Sequence, residues 1–319
     1  MTLDTRPRIL QNGPLLPQLE QALAATYRLT LLQAQPDPAA FLAMEGAQFD
    51  GIACTARIGA PRALIDALPS LRVISNFGVG FDTIDVERAR ERGIAVGYTP
   101  DVLNDCVADT AFGLVMDVAR RFSAADRFTR RGDWLRGQFP LSHRVSGKRL
   151  GIVGLGRIGR VIARRASGFD MDVRYHNRRT VDDVPYGYEP TLEGLARWAD
   201  FLVVASAGGP ATRGLISAAV LDALGPQGFL VNVSRGTVVD QAALVQALQQ
   251  GRIAGAGLDV FEQEPQVPEA LFAMDNVVLL PHVASNTHET RQAMADLVMD
   301  NLASYFATGR VRVPVPGSA

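Results

Sequence analysis

Short apolar runs alternate with longer amphipathic stretches along most of the chain. Arg8-Ile9-Leu10 begins a strand, Leu15–Ala25 has helical spacing, and Tyr27–Leu32 returns to extended character. Gly51–Cys54, Arg72–Ser75 and Ile94–Val96 are further short strands with helical or turn segments between them. One long helix is predicted from about Asn104 to Arg131, then an irregular segment, Gly132–Ser146. A second series starts at Arg149, with strands Arg149–Val153, Asp172–His176, Phe201–Ala205, Phe229–Val233, Gly255–Val260 and Val277–Leu280. Helical spacing between them is clearest in Gln241–Gln250, where Ala242, Leu244, Val245 and Leu248 share a face. A helix from Thr287 to Ala307 and a polar, proline-containing tail close the chain. This alternation argues for parallel sheets covered by helices.

At 319 residues the chain is long for one hydrophobic core. The expectation is two doubly wound α/β domains with a cleft between them: a discontinuous one, 1–98 plus 286–319, and a larger one, 99–285. Hinges are expected where the chain crosses, near Tyr98 and Ser285.

Composition narrows the partners. The 32 basic and 33 acidic residues nearly cancel, so nucleic acid and acidic membranes have no electrostatic support as ligands. Cys54 and Cys106 are too few for a disulfide framework, which fits a reducing compartment. The first residues carry an acid and a proline where a signal peptide needs an apolar run, and no stretch nears the ~20 apolar residues of a membrane span. A cytoplasmic protein is expected.

The most informative local motif follows the first strand of the second series. Gly154-Leu-Gly156-Arg157-Ile158-Gly159 joins a strand to a helix, with another strand beginning near Asp172. In that context Gly154 makes the tight turn, Gly156 admits a pyrophosphate and Gly159 packs the helix on the strand. The Arg157 and Ile158 amides then stand at the positive end of the helix dipole. At the end of the next strand, where an NAD-preferring site places an acid, the chain reads Asn177-Arg178-Arg179. An amide and two guanidiniums suit a 2′-phosphate, so NADPH is expected to be preferred, with NADH possible.

Three polar residues fall just past strand ends of the same series: Arg235, Glu264 and His282. Reducing a 2-oxo acid needs a cation for the carboxylate, a proton donor for the carbonyl oxygen, and an acid to hold that donor. A carboxylate beside imidazole favours the imidazolium, keeping it able to donate a proton near neutral pH.

Four motifs, in order, carry a resemblance. Gly154–Gly159, Asn232-Val-Ser-Arg-Gly-Thr-Val-Val-Asp240, Gly255-Ala-Gly-Leu-Asp-Val-Phe-Glu-Gln-Glu-Pro265 and Leu280-Pro-His-Val-Ala-Ser285 resemble the D-2-hydroxyacid dehydrogenase family. Asn76–Asp85 is similar to that family's substrate loop, and Asn177-Arg-Arg with Gly132-Asp-Trp134 looks most like its glyoxylate/hydroxypyruvate reductase branch. The resemblance implies Rossmann- and flavodoxin-like domains: 1–98 plus 286–319 for the substrate, 99–285 for the dinucleotide. It also implies that Arg235 clamps the substrate carboxylate, Glu264 orients His282, and His282 passes the proton. Val79 and Gly80 would offer amides to the carboxylate, with Trp134 as a further substrate contact. Asp259 would hold the nicotinamide carboxamide, while Val233, Ser234, His282 and Ser285 would line the cofactor channel. The family also implies a homodimer and small substrates such as glyoxylate and hydroxypyruvate. One departure is Ala205-Ser-Ala-Gly-Gly-Pro210, where the family often has a Pro-Leu-Thr-like turn.

Two alternatives stand beside this reading: a dehydrogenase for a bulkier oxo acid, and a nicotinamide-sensing protein without turnover, like the corepressors of this fold. No metal is expected, since the histidine spacings and the absence of a Cys pair or His-Glu-x-x-His offer no ligand set.

Overall fold

The computed structural model describes residues 4–318, and the chain divides into two compact units: Met1–Leu103 with Thr287–Ala319, and Asn104–Asn286. The first unit holds strands β1 (Arg8–Asn12), β2 (Arg28–Leu31), β3 (Gly51–Thr55), β4 (Val73–Phe77) and β5 (Ala95–Gly97), all parallel, in the order β2-β1-β3-β4-β5. That is the flavodoxin-like order. Its core joins Leu10, Ile52, Ile74 and Val96 from the strands to Phe49, Leu64, Ile65 and Leu68 beneath. The C-terminal helix His288–Thr308 returns to this sheet, where Ser75 Oγ donates to the Val298 carbonyl at 3.1 Å.

The second unit carries seven parallel strands: β6 (Arg149–Val153), β7 (Asp172–His176), β8 (Gly187–Tyr188), β9 (Phe201–Val204), β10 (Phe229–Asn232), β11 (Gly255–Leu258) and β12 (Val277–Leu279). Their order is β12-β11-β10-β9-β6-β7-β8. Runs such as Phe201-Leu-Val-Val are buried throughout because both faces of a parallel sheet are covered. The chain reverses direction across the sheet between β6 and β9, and open α/β sheets bind ligands in the crevice at such a switch point.

Two features differ from the sequence expectation. The long helix is two, Asn104–Arg120 and Phe122–Arg130, because Arg121 is left-handed at φ 57°. Asp117 stabilises the break: its carboxylate accepts from the Ser123 N–H at 2.8 Å and from the Ser123 hydroxyl. The second is β8, a two-residue strand that adds a seventh strand at the edge of the larger sheet and lies outside the expected elements.

Small residues decide how closely the helix Asn104–Arg120 approaches β11. A Cβ at Gly257 would lie 2.9 Å from Leu114 Cβ, and one at Gly255 would lie 2.4 Å from the Asn276 carbonyl oxygen. Glycine at both places therefore sets the position of the strand that ends beside Asp259.

Candidate active site

The glycine-rich turn leaves β6 at Gly154, whose φ of 99° belongs to the region glycine tolerates. A Cβ there would meet the Ser206 backbone at 2.6 Å, so the turn presses against the chain two residues past β9. Gly159 is equally constrained: its Cβ would lie 2.2 Å from the Gly154 carbonyl oxygen. Gly156 is different. It is exposed, and a Cβ on it would have nothing within 4 Å. The space over Gly156 is therefore open to an approaching group, and no atom of the described residues explains why that residue is glycine.

Gly156 also precedes the helix Arg157–Ala166 with no side-chain cap. The first amides of that helix, those of Arg157 and Ile158, sit at the positive end of the dipole. Beside the turn, Ser206 Oγ is buried with no hydrogen-bond partner among the described residues, while the Ser206 carbonyl accepts from Ser234 Oγ at 2.5 Å. An open cradle, a helix N-terminus whose Gly156 gives no side-chain cap, and an orphaned hydroxyl at one switch point fit the pyrophosphate of a dinucleotide. Ser206 was missed in the sequence; its position one residue beyond the end of a neighbouring strand run was the available signal.

Asn177 turns out to brace this turn: its Oδ1 accepts from the Leu155 N–H at 2.7 Å. Arg178 and Arg179 follow it and are exposed.

Arg235, Glu264 and His282 come from the loops after β10, β11 and β12. Asn232, buried at the end of β10, shapes the first loop: its Oδ1 accepts from the Ser234 N–H and its Nδ2 donates to the Arg235 carbonyl, both at 3.0 Å. Val233 is held by its N–H on the Val204 carbonyl at 3.2 Å. A Cβ at Gly236 would lie 1.9 Å from the Phe261 carbonyl carbon, so the loops after β10 and β11 are in contact immediately beside Arg235.

His282 Nδ1 lies 2.8 Å from Glu264 Oε2, and Glu264 Oε1 accepts from the Phe261 N–H at 3.2 Å. An ionised carboxylate only accepts, so Nδ1 carries the hydrogen of this pair and Nε2 is the outward nitrogen. The glutamate side chain is 16% exposed and the histidine 38%, which shields the pair from water on one side while leaving the ring accessible. His282 adopts a left-handed backbone at φ 55°, a strained state for a residue with a Cβ, of the kind found where the surroundings over-determine a site.

Asp259 supplies those surroundings. It is wholly buried, its two carboxylate oxygens accept from the Val283 and Ala284 N–H groups at 2.7 and 3.0 Å, and its carbonyl accepts from His282 N–H at 2.8 Å. Burial pushes its carboxyl above the ordinary aspartate range, and the two N–H bonds only partly oppose that. The resemblance implies that Asp259 holds the nicotinamide carboxamide; in the structure its carboxylate is bonded to the loop that carries His282.

Ser285 follows on the same loop, half exposed. Trp134 is 65% exposed on the short turn Asp133–Leu135, so it is no core residue. In the other unit, Val79 and Gly80 lie in a loop tied by Asn76, whose Nδ2 donates to the Gly78 and Gly80 carbonyls at 3.2 and 2.9 Å. Gly78 is required there, because a Cβ would stand 2.3 Å from that of Ala56. Among the described residues, no group of three or more His, Cys, Asp or Glu is placed to hold a metal ion, and no helix is long and apolar enough to cross a membrane.

Comparison with known proteins agrees with this geometry. Residues 112–284 match the family model described as D-isomer specific 2-hydroxyacid dehydrogenase, NAD binding domain. The chain is 46% identical to hydroxyphenylpyruvate reductase of Plectranthus scutellarioides and 45% identical to a glyoxylate/hydroxypyruvate reductase of Arabidopsis thaliana, each match covering 96% of this chain and 98% of the relative. The crystal structure of an NADPH-dependent glyoxylate/hydroxypyruvate reductase from Sinorhizobium meliloti, in complex with NADP and malonate, superposes with a TM-score of 0.93 at 47% identity, covering 98% of both chains. The chain belongs to the D-isomer specific 2-hydroxyacid dehydrogenase family.

Proposed function

We propose that this protein reduces small 2-oxo acids, glyoxylate and hydroxypyruvate foremost, to D-2-hydroxy acids with NADPH as the preferred reductant. The observation that carries the reading is the His282–Glu264 pair, presented from adjacent loops with Arg235 at the end of the neighbouring strand.

The dinucleotide is held by the Gly154–Gly159 turn, the Arg157 and Ile158 amides, Ser206, and the channel residues Val233, Ser234 and Ser285. When bound, it supplies the hydride that reduces the substrate carbonyl carbon. Arg235 binds the substrate carboxylate through its planar guanidinium, which suits a two-oxygen anion. His282 donates a proton from Nε2 to the carbonyl oxygen as negative charge develops there. Glu264 fixes the ring through Nδ1 and offsets the positive charge of the imidazolium. Asp259 fixes the backbone beneath the ring. Arg178 and Arg179 take the 2′-phosphate.

A second reading, turnover of a bulkier aromatic oxo acid, is favoured by the 46% identity to a hydroxyphenylpyruvate reductase. We further propose a cytosolic homodimer. Phe122, Trp134, Leu135 and Leu141 are large apolar side chains left exposed between residues 122 and 141, surface that a second copy would cover, and light scattering tests it.

The deciding experiment follows loss of reduced-nicotinamide absorbance with glyoxylate, hydroxypyruvate, pyruvate and phenylpyruvate, each with NADPH and NADH. Fast NADPH-dependent turnover of the first two is expected. Preference for phenylpyruvate selects the second reading, and tight dinucleotide binding without turnover of any acid points to a nicotinamide sensor.

A further inference from the structure

The segment from Asn177 to Val181 carries Arg178 and Arg179, and tyrosine hydroxyls tie down both of its ends. Tyr175, on β7, is wholly buried. Its hydroxyl accepts from the Val181 N–H at 2.8 Å and lies 3.3 Å from the Val181 carbonyl, to which it donates. Tyr188, on β8, donates its hydroxyl to the Asn177 carbonyl at 3.3 Å. The two tyrosines are register partners across the strand pair, with ring centroids 5.5 Å apart. A third tie is the Asn177 side chain on Leu155, which joins the segment to the glycine turn. Between these anchors Arg178, Arg179 and Thr180 are exposed.

Packing alone does not ask for these hydroxyls, because phenylalanine has the same ring. A buried phenol costs free energy unless its oxygen is bonded, and at Tyr175 the bonds go to the backbone of one loop residue. A loop ordered before binding loses less entropy when it meets its ligand. Val181 is also the junction between the two arginines and the acidic pair Asp182–Asp183. A loop free to slide about that junction would exchange guanidiniums for carboxylates beside a phosphate.

We propose that Tyr175 and Tyr188 are specificity-setting positioning residues: their hydroxyls preorder the Asn177–Val181 loop so that Arg178 and Arg179 select a dinucleotide bearing a 2′-phosphate. The proposal rests on the NADPH preference inferred above. The two tyrosines touch neither the reacting atoms nor the phosphate, and they act through the backbone.

The test uses Tyr175→Phe, Tyr188→Phe and the double variant in the full chain. Affinities for NADPH, NADH and 2′,5′-ADP are measured by calorimetry without turnover. Trypsin cleavage after Arg178 and Arg179 is followed in ligand-free protein. Loss of one such hydrogen bond is expected to weaken NADPH and 2′,5′-ADP binding roughly three- to tenfold. NADH binding stays unchanged, and tryptic cleavage at the loop accelerates. A parallel loss for NADPH and NADH marks a merely structural role and overturns the proposal. If Tyr175→Phe does not fold, Tyr188→Phe, at the half-buried sheet edge, decides alone. Wild-type protein that favours NADPH, with the same ratio in the variants, overturns the clamp and leaves the cofactor reading intact. Wild-type protein without preference overturns both.

Discussion

His282 Nδ1 and Glu264 Oε2 meet at 2.8 Å across a separation of 18 residues. The contact occupies Nδ1 and leaves Nε2 as the outward nitrogen, the one the proposed proton transfer would use. Replacing His282 by Ala is expected to lower kcat/KM about 10²- to 10⁴-fold, the usual worth of a positioned acid, with NADPH affinity retained. Glu264→Gln keeps an acceptor but removes the charge, so a smaller loss, about 10- to 100-fold, is expected. Equal losses in the two variants would show that the carboxylate does more than hold the ring.

Asp259 makes a signed prediction about pH and stability. Its carboxyl titrates above the ordinary aspartate range in the folded protein, because burial outweighs the two N–H bonds it accepts. The folded state therefore holds this proton more firmly than the unfolded chain. The contribution of Asp259 to stability is full at low pH and is lost as pH rises through its folded pKa. Urea unfolding of wild type and Asp259→Asn should show the variant gaining on wild type as pH rises from the unfolded aspartate value. The opposite slope would mean that the bonds to Val283 and Ala284 dominate.

Gly156 and Gly159, three residues apart, should separate binding from folding. Alanine at Gly156 meets open space, so the melting temperature should hold while dinucleotide affinity falls. Alanine at Gly159 drives a methyl against the Gly154 carbonyl and should cost about 1–3 kcal/mol of stability. Thermal melts beside calorimetric titrations check both. Unimpaired NADPH binding by Gly156→Ala would remove the assignment of that cradle.

Charge at the end of β7 is expected to set cofactor choice. Neutralising Arg178 and Arg179 together with Asn177→Asp should swing the NADPH:NADH ratio of kcat/KM by roughly 10- to 100-fold towards NADH. Aspartate retains an acceptor for the Leu155 N–H, so the brace on the turn persists and the change reports charge. An unmoved ratio would make the arginines solvated surface charges.

Much of this protein was legible in its sequence because the signals are local. Buried parallel strands read as short apolar runs, so eleven of the observed strands lie where such runs occur, and β8 escaped only because Gly187–Tyr188 is too short to have a period. The Gly154–Gly159 turn and the polar residues just past strand ends, Arg235, Glu264 and His282, were visible for the same reason.

What tertiary structure alone decided are pairings between distant residues. The helix expected to run to Arg131 stops at Arg120 because Asp117 finds Ser123 across a left-handed Arg121. Asn177 braces Leu155, and Asp259 holds the loop of His282, although spacing along the chain marks neither pair. Periodicity reports which face of an element is buried. It carries no record of which hydrogen-bond donor a buried oxygen will meet, since that depends on where the strands place their ends.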